Sequence, residues 1–270
     1  MRARLVGCAL LLVLWIAAAA QAAEPVYYLA LGDSLAIGIQ PARNGSLVPT
    51  SQGYVDDLYA FYRTHMPALQ VAKLGCSGET TSSMITGVGS SCVYLSGSQL
   101  SEAVAFLQTH RVGLITLDIG ANDLLHCLNV SAPIDPSCVS TETSTAASDL
   151  ATILGTLRAY APGVLIVGMN YYDPFLAAWI LGPNGPAFAT ASLVATNVFN
   201  NALKTIYQLL NVPMADVAAA YRSAHFPTNV IVALTWTWMG APPPRGPDIH
   251  PNAIGYAAIA RAFVEAIGTP

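Results

Sequence analysis

The chain has 270 residues, 54% of them apolar and only 10% charged, with a formal net charge of −4. That composition supplies a large core and excludes a disordered chain. Its two lysines, Lys73 and Lys204, and its scattered arginines form no basic stripe, which excludes nucleic acid as a partner.

At the amino terminus Arg2 and Arg4 precede an uncharged run from Leu5 to Ala20, followed by the small-residue pattern Ala20-Gln21-Ala22. This is the layout of a secretory signal peptide. Residues 1–22 are therefore expected to be removed, leaving 23–270 as a single domain that is secreted or held at the envelope. An uncleaved membrane anchor is the rival, since the run is about as long as the shortest bilayer spans. A lipid-modified Cys8 is a weaker rival, because that cysteine precedes most of the apolar run instead of following it. Losing both arginines takes Lys+Arg from 11 to 9 against 15 Asp+Glu, so the formal charge of the mature chain is −6.

Past the signal, apolar runs alternate with amphipathic ones. Val26 to Leu31 reads as a buried strand, and Tyr54 to Met66 as a helix with Val55, Leu58, Tyr59 and Tyr62 on one face. Leu69 to Leu74 is a second strand, Gln99 to His110 a helix and Val112 to Ile119 a third strand. Thr145 to Tyr160 is helical and stops before Pro162-Gly163, which cannot continue it. Val164 to Met169 is the fourth strand, Ala187 to Leu210 a long helix, Val212 to Val217 a short fifth strand and Asn252 to Ile267 the closing helix. The segment APPPRGPDIHP, 241–251, reads as a rigid loop. Strands apolar on both faces and separated by helices indicate a parallel sheet covered on both sides. The fold expected is a three-layer α/β/α sandwich around a five-stranded parallel sheet.

The mature chain keeps Cys76, Cys92, Cys127 and Cys138, an even set in a chain bound for an oxidising compartment. Of the three pairings, the local ones are expected, Cys76 with Cys92 and Cys127 with Cys138, because each closes a Gly/Ser- or Pro/Ser-rich segment with little else to order it. No Cys-x-x-Cys or paired His-Cys spacing suggests a metal site.

In open parallel sheets ligands bind beyond the carboxyl ends of the strands. Ser34, in LALGDSLAIG, ends the first strand; Gly75 follows the second, Asn122 the third, and DIHPN immediately precedes the last helix. A serine hydroxyl becomes a useful nucleophile when a base takes its proton, and histidine suits that task near neutral pH. Of the five histidines, His65, His110 and His225 fall near element ends, where a solvated ring is the ordinary reading. His126, beside Cys127, is a candidate on the substrate side. His250 stands apart, because Pro247, Pro251 and the following helix fix its backbone and Asp248 lies two residues before it.

Attack on an ester creates an oxyanion that needs preplaced donors. Three are available: the Ser34 N–H at a strand-to-helix turn, the unobstructed Gly75 N–H and the Asn122 amide. Asp33 and Asp123 are expected to brace turns, and Asp118, an acid on a buried strand, needs a partner that sequence does not name. Ser77 is a rival nucleophile with no base nearby.

Taken in order, LALGDSLAIG, LGCSGETT, DIGANDLL and PDIHPNAIGY resemble the four blocks of the GDSL, or SGNH, hydrolases and span positions 29 to 256. The resemblance implies a flavodoxin-like sandwich and hydrolysis of carboxylic esters without metal or organic cofactor. It also implies Ser34 as nucleophile, His250 as base, and Ser34, Gly75 and Asn122 as oxyanion donors. One departure concerns the third member. The family places its aspartate three residues before the histidine, whereas Asp248 is two before and Pro247 fills the usual position. Either Asp248 orients the imidazole, or a backbone carbonyl holds the ring and leaves a Ser-His dyad.

Uncharged and aromatic residues near the expected site, Tyr171, Tyr172, Phe175, Trp179, Trp236, Trp238 and Met239, either form an apolar wall suited to an acyl chain or aromatic ester or, for most of them, pack in the core. The reading is a secreted, monomeric esterase or lipase acting on a small-molecule or lipid ester. A carbohydrate O-deacetylase is the runner-up. A non-catalytic binding module is the reading from another class; it predicts a missing nucleophile, base or donor, and none is missing.

Overall fold

The computed structural model describes residues 24–128 and 132–269, so the expected signal peptide lies outside the described residues. β1 (Val26–Gly32) is paired on both sides, with Tyr28, Leu29, Ala30 and Leu31 fully buried because both faces of its sheet are covered. A short antiparallel hairpin, β2 (Ile39–Pro41) and β3 (Leu47–Pro49), comes next, followed by α1 (Tyr54–Arg63) and β4 (Leu69–Lys73). Then come α2 (Thr81–Thr86), α3 (Gln99–Thr109), β5 (Val112–Asp118), α4 (Ala121–Leu125), α5 (Pro136–Tyr160) and β6 (Leu165–Met169). A 3-10 turn, Pro174–Ile180, leads into α6 (Gly185–Leu209) and β7 (Met214–Ala215). The chain closes with α7 (Val217–Ala220), α8 (Val230–Trp236) and α9 (Ala253–Ile267).

The five parallel strands lie in the order β4-β1-β5-β6-β7, which is the 2-1-3-4-5 order of flavodoxin-like sheets. α1 packs with α9, where Tyr54 stacks on Phe263 with ring centroids 4.9 Å apart. α5 packs between α3 and α6 to build the other layer. The expected three-layer sandwich is therefore the fold.

Several boundaries differ from expectation for local reasons. α5 starts at Pro136, well before Thr145, because Asp135 accepts the Ser137 N–H at 2.9 Å and Pro136 suits the first helical position. β7 shrinks to two residues. Pro213 lacks an N–H, Asn211 turns the chain at φ 51°, and Asp216 already caps α7. α1 stops at Arg63, three residues before Met66.

Candidate active site

Ser34 stands directly past the end of β1. Asp33 donates its N–H to the Asp118 carbonyl at 3.0 Å, and Ile39 donates to the Ser34 carbonyl at 3.0 Å. The turn does not run into a helix, as the sequence suggested; Gly38, at φ 67°, sends the chain into the hairpin instead. Gln99, buried in the first turn of α3, clamps the strand end from the side. It accepts from the Gly32 N–H at 2.7 Å and donates to the Gly32 carbonyl at 2.9 Å. Sequence reasoning did not single it out, because a lone glutamine carries no motif.

The structure brings Ser34, His250 and Asp248 together. His250 Nε2 lies 2.9 Å from Ser34 Oγ, and Nδ1 lies 2.8 Å from Asp248 Oδ1. A carboxylate can only accept, so Nδ1 carries the proton and Nε2 is the acceptor for the Ser34 hydroxyl. Among the described residues no backbone carbonyl takes the Nδ1 position. Spacing of two works because Asp248 Oδ1 also accepts the His250 backbone N–H, at 3.0 Å, so one oxygen holds both the turn and the ring. The loop is pinned from outside. Trp238 donates its N–H to the His250 carbonyl at 3.0 Å, Asp248 donates to the Trp238 carbonyl at 3.2 Å, and Tyr172 Oη donates to the Ile249 carbonyl at 2.9 Å.

The three expected oxyanion donors border the same turn. Asn122 lines the cleft beside Ser34 and His250, and its Nδ2 donates to the Glu79 carbonyl at 2.9 Å. A second amide hydrogen remains on that nitrogen. Asp123 holds α4 to α2 by accepting the Thr81 N–H at 3.0 Å and the Thr81 hydroxyl at 2.6 Å. Gly75 presses against the nucleophile turn: a Cβ there would sit 2.6 Å from the Ala36 Cβ and 2.9 Å from the Asp33 carbonyl oxygen. Only a glycine permits that approach. Among the described residues neither the Ser34 N–H nor the Gly75 N–H donates to an acceptor.

Beneath the serine sit buried acids. Asp33 Oδ1 accepts the Leu35 N–H at 2.9 Å, and burial lifts its pKa to about 6. Asp118 is fully buried, and burial together with the neighbouring Asp33 raises its pKa. Its partner is the Tyr54 hydroxyl, which donates to it, and its other oxygen accepts the Asp33 N–H at 3.3 Å. A third acid, Asp173, lines the cleft, as Asp33 does. It accepts from Ser192 Oγ and the Phe175 N–H, both at 2.8 Å, and burial lifts its pKa to about 7.

The cleft that opens on Ser34 and His250 encloses about 580 Å³, solvent at its mouth included. Leu124, Leu125 and Leu128 form one wall, Tyr171, Tyr172 and Phe175 another, with Thr196 and Phe199 of α6 behind. Four of the aromatic or apolar residues expected there are elsewhere. Trp179 packs edge-on against Phe226, Trp236 against Tyr221, Trp238 lies under Arg245 at 4.1 Å, and Met239 joins a separate apolar cluster. Phe199 and the three leucines went unnoticed in sequence because their spacing is that of any helix core face.

His65, His110, His126 and His225 are exposed and lie off the cleft, as does Ser77. Both local disulfides are formed, Cys76–Cys92 and Cys127–Cys138. The first anchors the loop that holds Gly75; the second ties the segment after α4 to α5. Among the described residues no group of His, Cys, Asp or Glu side chains is arranged to hold a metal.

Residues 30–258 match the GDSL-like lipase/acylhydrolase family. No curated protein matches the chain. Among solved structures the chain is similar to phospholipase A1 from Streptomyces albidoflavus, at 20% identity and TM-score 0.61 over 90% of this chain and 100% of that one. It is also similar to an extracellular lipase from Streptomyces rimosus, at 16% identity and TM-score 0.61 over 89% and 99%. A lipase from a goat rumen metagenome aligns at 18% identity and TM-score 0.59 over 89% and 97%. Likeness at these identities is likeness of fold.

Proposed function

Since the chain belongs to the GDSL-like lipase/acylhydrolase family and is an ester hydrolase, we propose that it works through an acyl-enzyme on Ser34, with His250 as base and Asp248 as its orienter. The observation that carries this reading is the continuous chain of short contacts from Ser34 Oγ to His250 Nε2, and from Nδ1 to Asp248, at 2.9 and 2.8 Å. Ser34 Oγ attacks the ester carbonyl while its proton passes to Nε2. The resulting oxyanion takes hydrogen bonds from the Ser34 and Gly75 N–H groups and Asn122 Nδ2. Collapse expels the alcohol, which leaves with the proton from Nε2. Water then attacks the acyl group, giving its proton to Nε2, and the second collapse returns that proton to Ser34 as the acid leaves.

The substrate is an ester of an uncharged acyl chain, because the cleft walls are leucine and aromatic side chains and the acids among them, Asp33 and Asp173, are buried. All the groups named come from one chain, so the reading needs no second copy. Secretion is part of it, supported by the two disulfides. Among the described residues no helix is long and apolar enough to cross a membrane.

A fluorophosphonate probe and a panel of p-nitrophenyl esters from acetate to palmitate test the reading. Labelling should be stoichiometric and abolished by Ser34→Ala, with kcat/KM rising beyond acetate. Absence of labelling in folded protein would favour a binding module, and turnover confined to acetate a carbohydrate deacetylase.

A further inference from the structure

Two stretches beside the cleft, 174–203 and 226–244, contain no Asp, Glu, Lys or Arg. They fold together: the 3-10 turn Pro174–Ile180 packs against both α6 and α8 around a small core of Leu176, Ala177 and Ala233. The outer surface of this lobe leaves large apolar side chains in water. Ile180 is 62% exposed, Leu181 60%, Val194 59% and Ile231 60%. Single exposed apolar residues are ordinary, but a charge-free group of them marks a contact surface.

The lobe's place in the fold says what it faces. α6 joins two adjacent parallel strands, β6 and β7, so it runs against them and begins at their carboxyl edge. That edge also carries Ser34 and Asn122. Pro174 and Phe175, at the start of the same 3-10 turn, already line the cleft. The 3-10 turn thus runs from the wall of the site out to the exposed Ile180 and Leu181.

We propose that this rim seats the protein on a zwitterionic lipid surface, so that an acyl chain passes from lipid into the cleft without crossing water. Charge selects the partner. The mature chain carries a formal charge of −6, and the lobe offers no lysine or arginine to pair with anionic headgroups, so an anionic bilayer repels it. Zwitterionic headgroups impose no such penalty, and branched apolar side chains gain on leaving water. The docking rests on the ester-hydrolase reading for its substrate, not for its adhesion.

Cosedimentation of the mature chain, 23–270, carrying Ser34→Ala with phosphatidylcholine vesicles tests this, with the hydrolysis of a water-soluble butyrate ester measured separately in proteins that retain Ser34. Expected are binding insensitive to salt and a loss of at least about tenfold in the bound fraction for Leu181→Asp combined with Ile231→Asp. Soluble-ester turnover in that double variant should stay near that of the unaltered protein. Leu209→Asp, at the far end of α6, should bind as its parent does. The proposal fails if the parent does not sediment with phosphatidylcholine, or if the double variant binds equally. It also fails if binding requires phosphatidylglycerol and disappears in high salt, or if the patch instead holds two copies together in lipid-free buffer. Absent turnover of the soluble ester in the unaltered protein would sink the hydrolase reading alone, leaving vesicle binding to judge the surface.

Discussion

Asp248→Asn separates two things a triad aspartate does, holding the imidazole and supplying charge. In this protein one atom, Oδ1, accepts both the His250 N–H at 3.0 Å and the ring Nδ1–H at 2.8 Å. An asparagine held by the backbone N–H keeps its amide oxygen at that place, so ring orientation and tautomer survive while the charge is lost. Unit charges centred about 4 Å apart, the scale of a carboxylate hydrogen-bonded to an imidazolium, interact by roughly 4 kcal/mol at the effective dielectric of a site near the surface. The imidazolium forms along the reaction and is absent from the bound ground state, so the loss falls on kcat, with a ceiling of about a thousandfold. The Asp248 side chain retains 18% exposure, and solvent screening brings the expected fall to about a hundredfold, with KM within about threefold. Asp248→Ala frees the ring as well and should cost at least about ten times more. Steady-state kinetics on a p-nitrophenyl ester, with thermal melts to confirm folding, check both. A loss under about fivefold for asparagine removes Asp248 from the relay, and equal losses for the two variants refute the shared-oxygen argument.

Gly75→Ala should lower kcat by about a hundredfold, the typical cost of one oxyanion donor. The new methyl would meet the Ala36 Cβ at 2.6 Å and the Asp33 carbonyl at 2.9 Å, forcing the loop off the nucleophile turn; unchanged kcat contradicts this. Phe199→Ala should move the ester panel toward longer chains at a stability cost of about 3 to 5 kcal/mol, because the ring is buried and forms part of the cleft wall; an unmoved optimum, scored by kcat/KM ratios, would place the acyl chain elsewhere. Asp173→Asn probes a buried charge whose sign can be worked out. The folded pKa of about 7 exceeds the ordinary aspartate value, so the folded state binds the proton more tightly and wild-type stability falls as pH rises from about 4 to about 7. The asparagine variant should therefore melt close to wild type at pH 4 to 5 and roughly 5 °C or more above it at pH 8; a gap that does not widen with pH contradicts the assignment.

The local order of the chain determined much of this protein. Strands such as Val112–Asp118 are legible because a strand buried on both faces must be apolar throughout, and the helices between them leave a parallel sheet as the consistent packing. The same order places Ser34, Gly75 and Asn122 beyond strand ends and His250 directly before the closing helix, and the cysteine spacing pointed to the two disulfides that form. Capping chemistry was readable as well: Asp135-Pro136 announces the true start of α5, although apolar periodicity alone begins later. Tertiary structure decided the rest. Tyr54 as the partner of Asp118, Gln99 as the clamp on Gly32 and Phe199 in the cleft wall come from helices far along the chain that meet the strand ends only after the layers pack. Nor could composition show that Trp236 and Trp238 brace the His250 loop through their backbones while the leucines of α4 line the cleft. Hydrophobic burial rewards area without regard to which cavity receives it, so an apolar residue near a site is recruited or excluded by the three-dimensional packing alone.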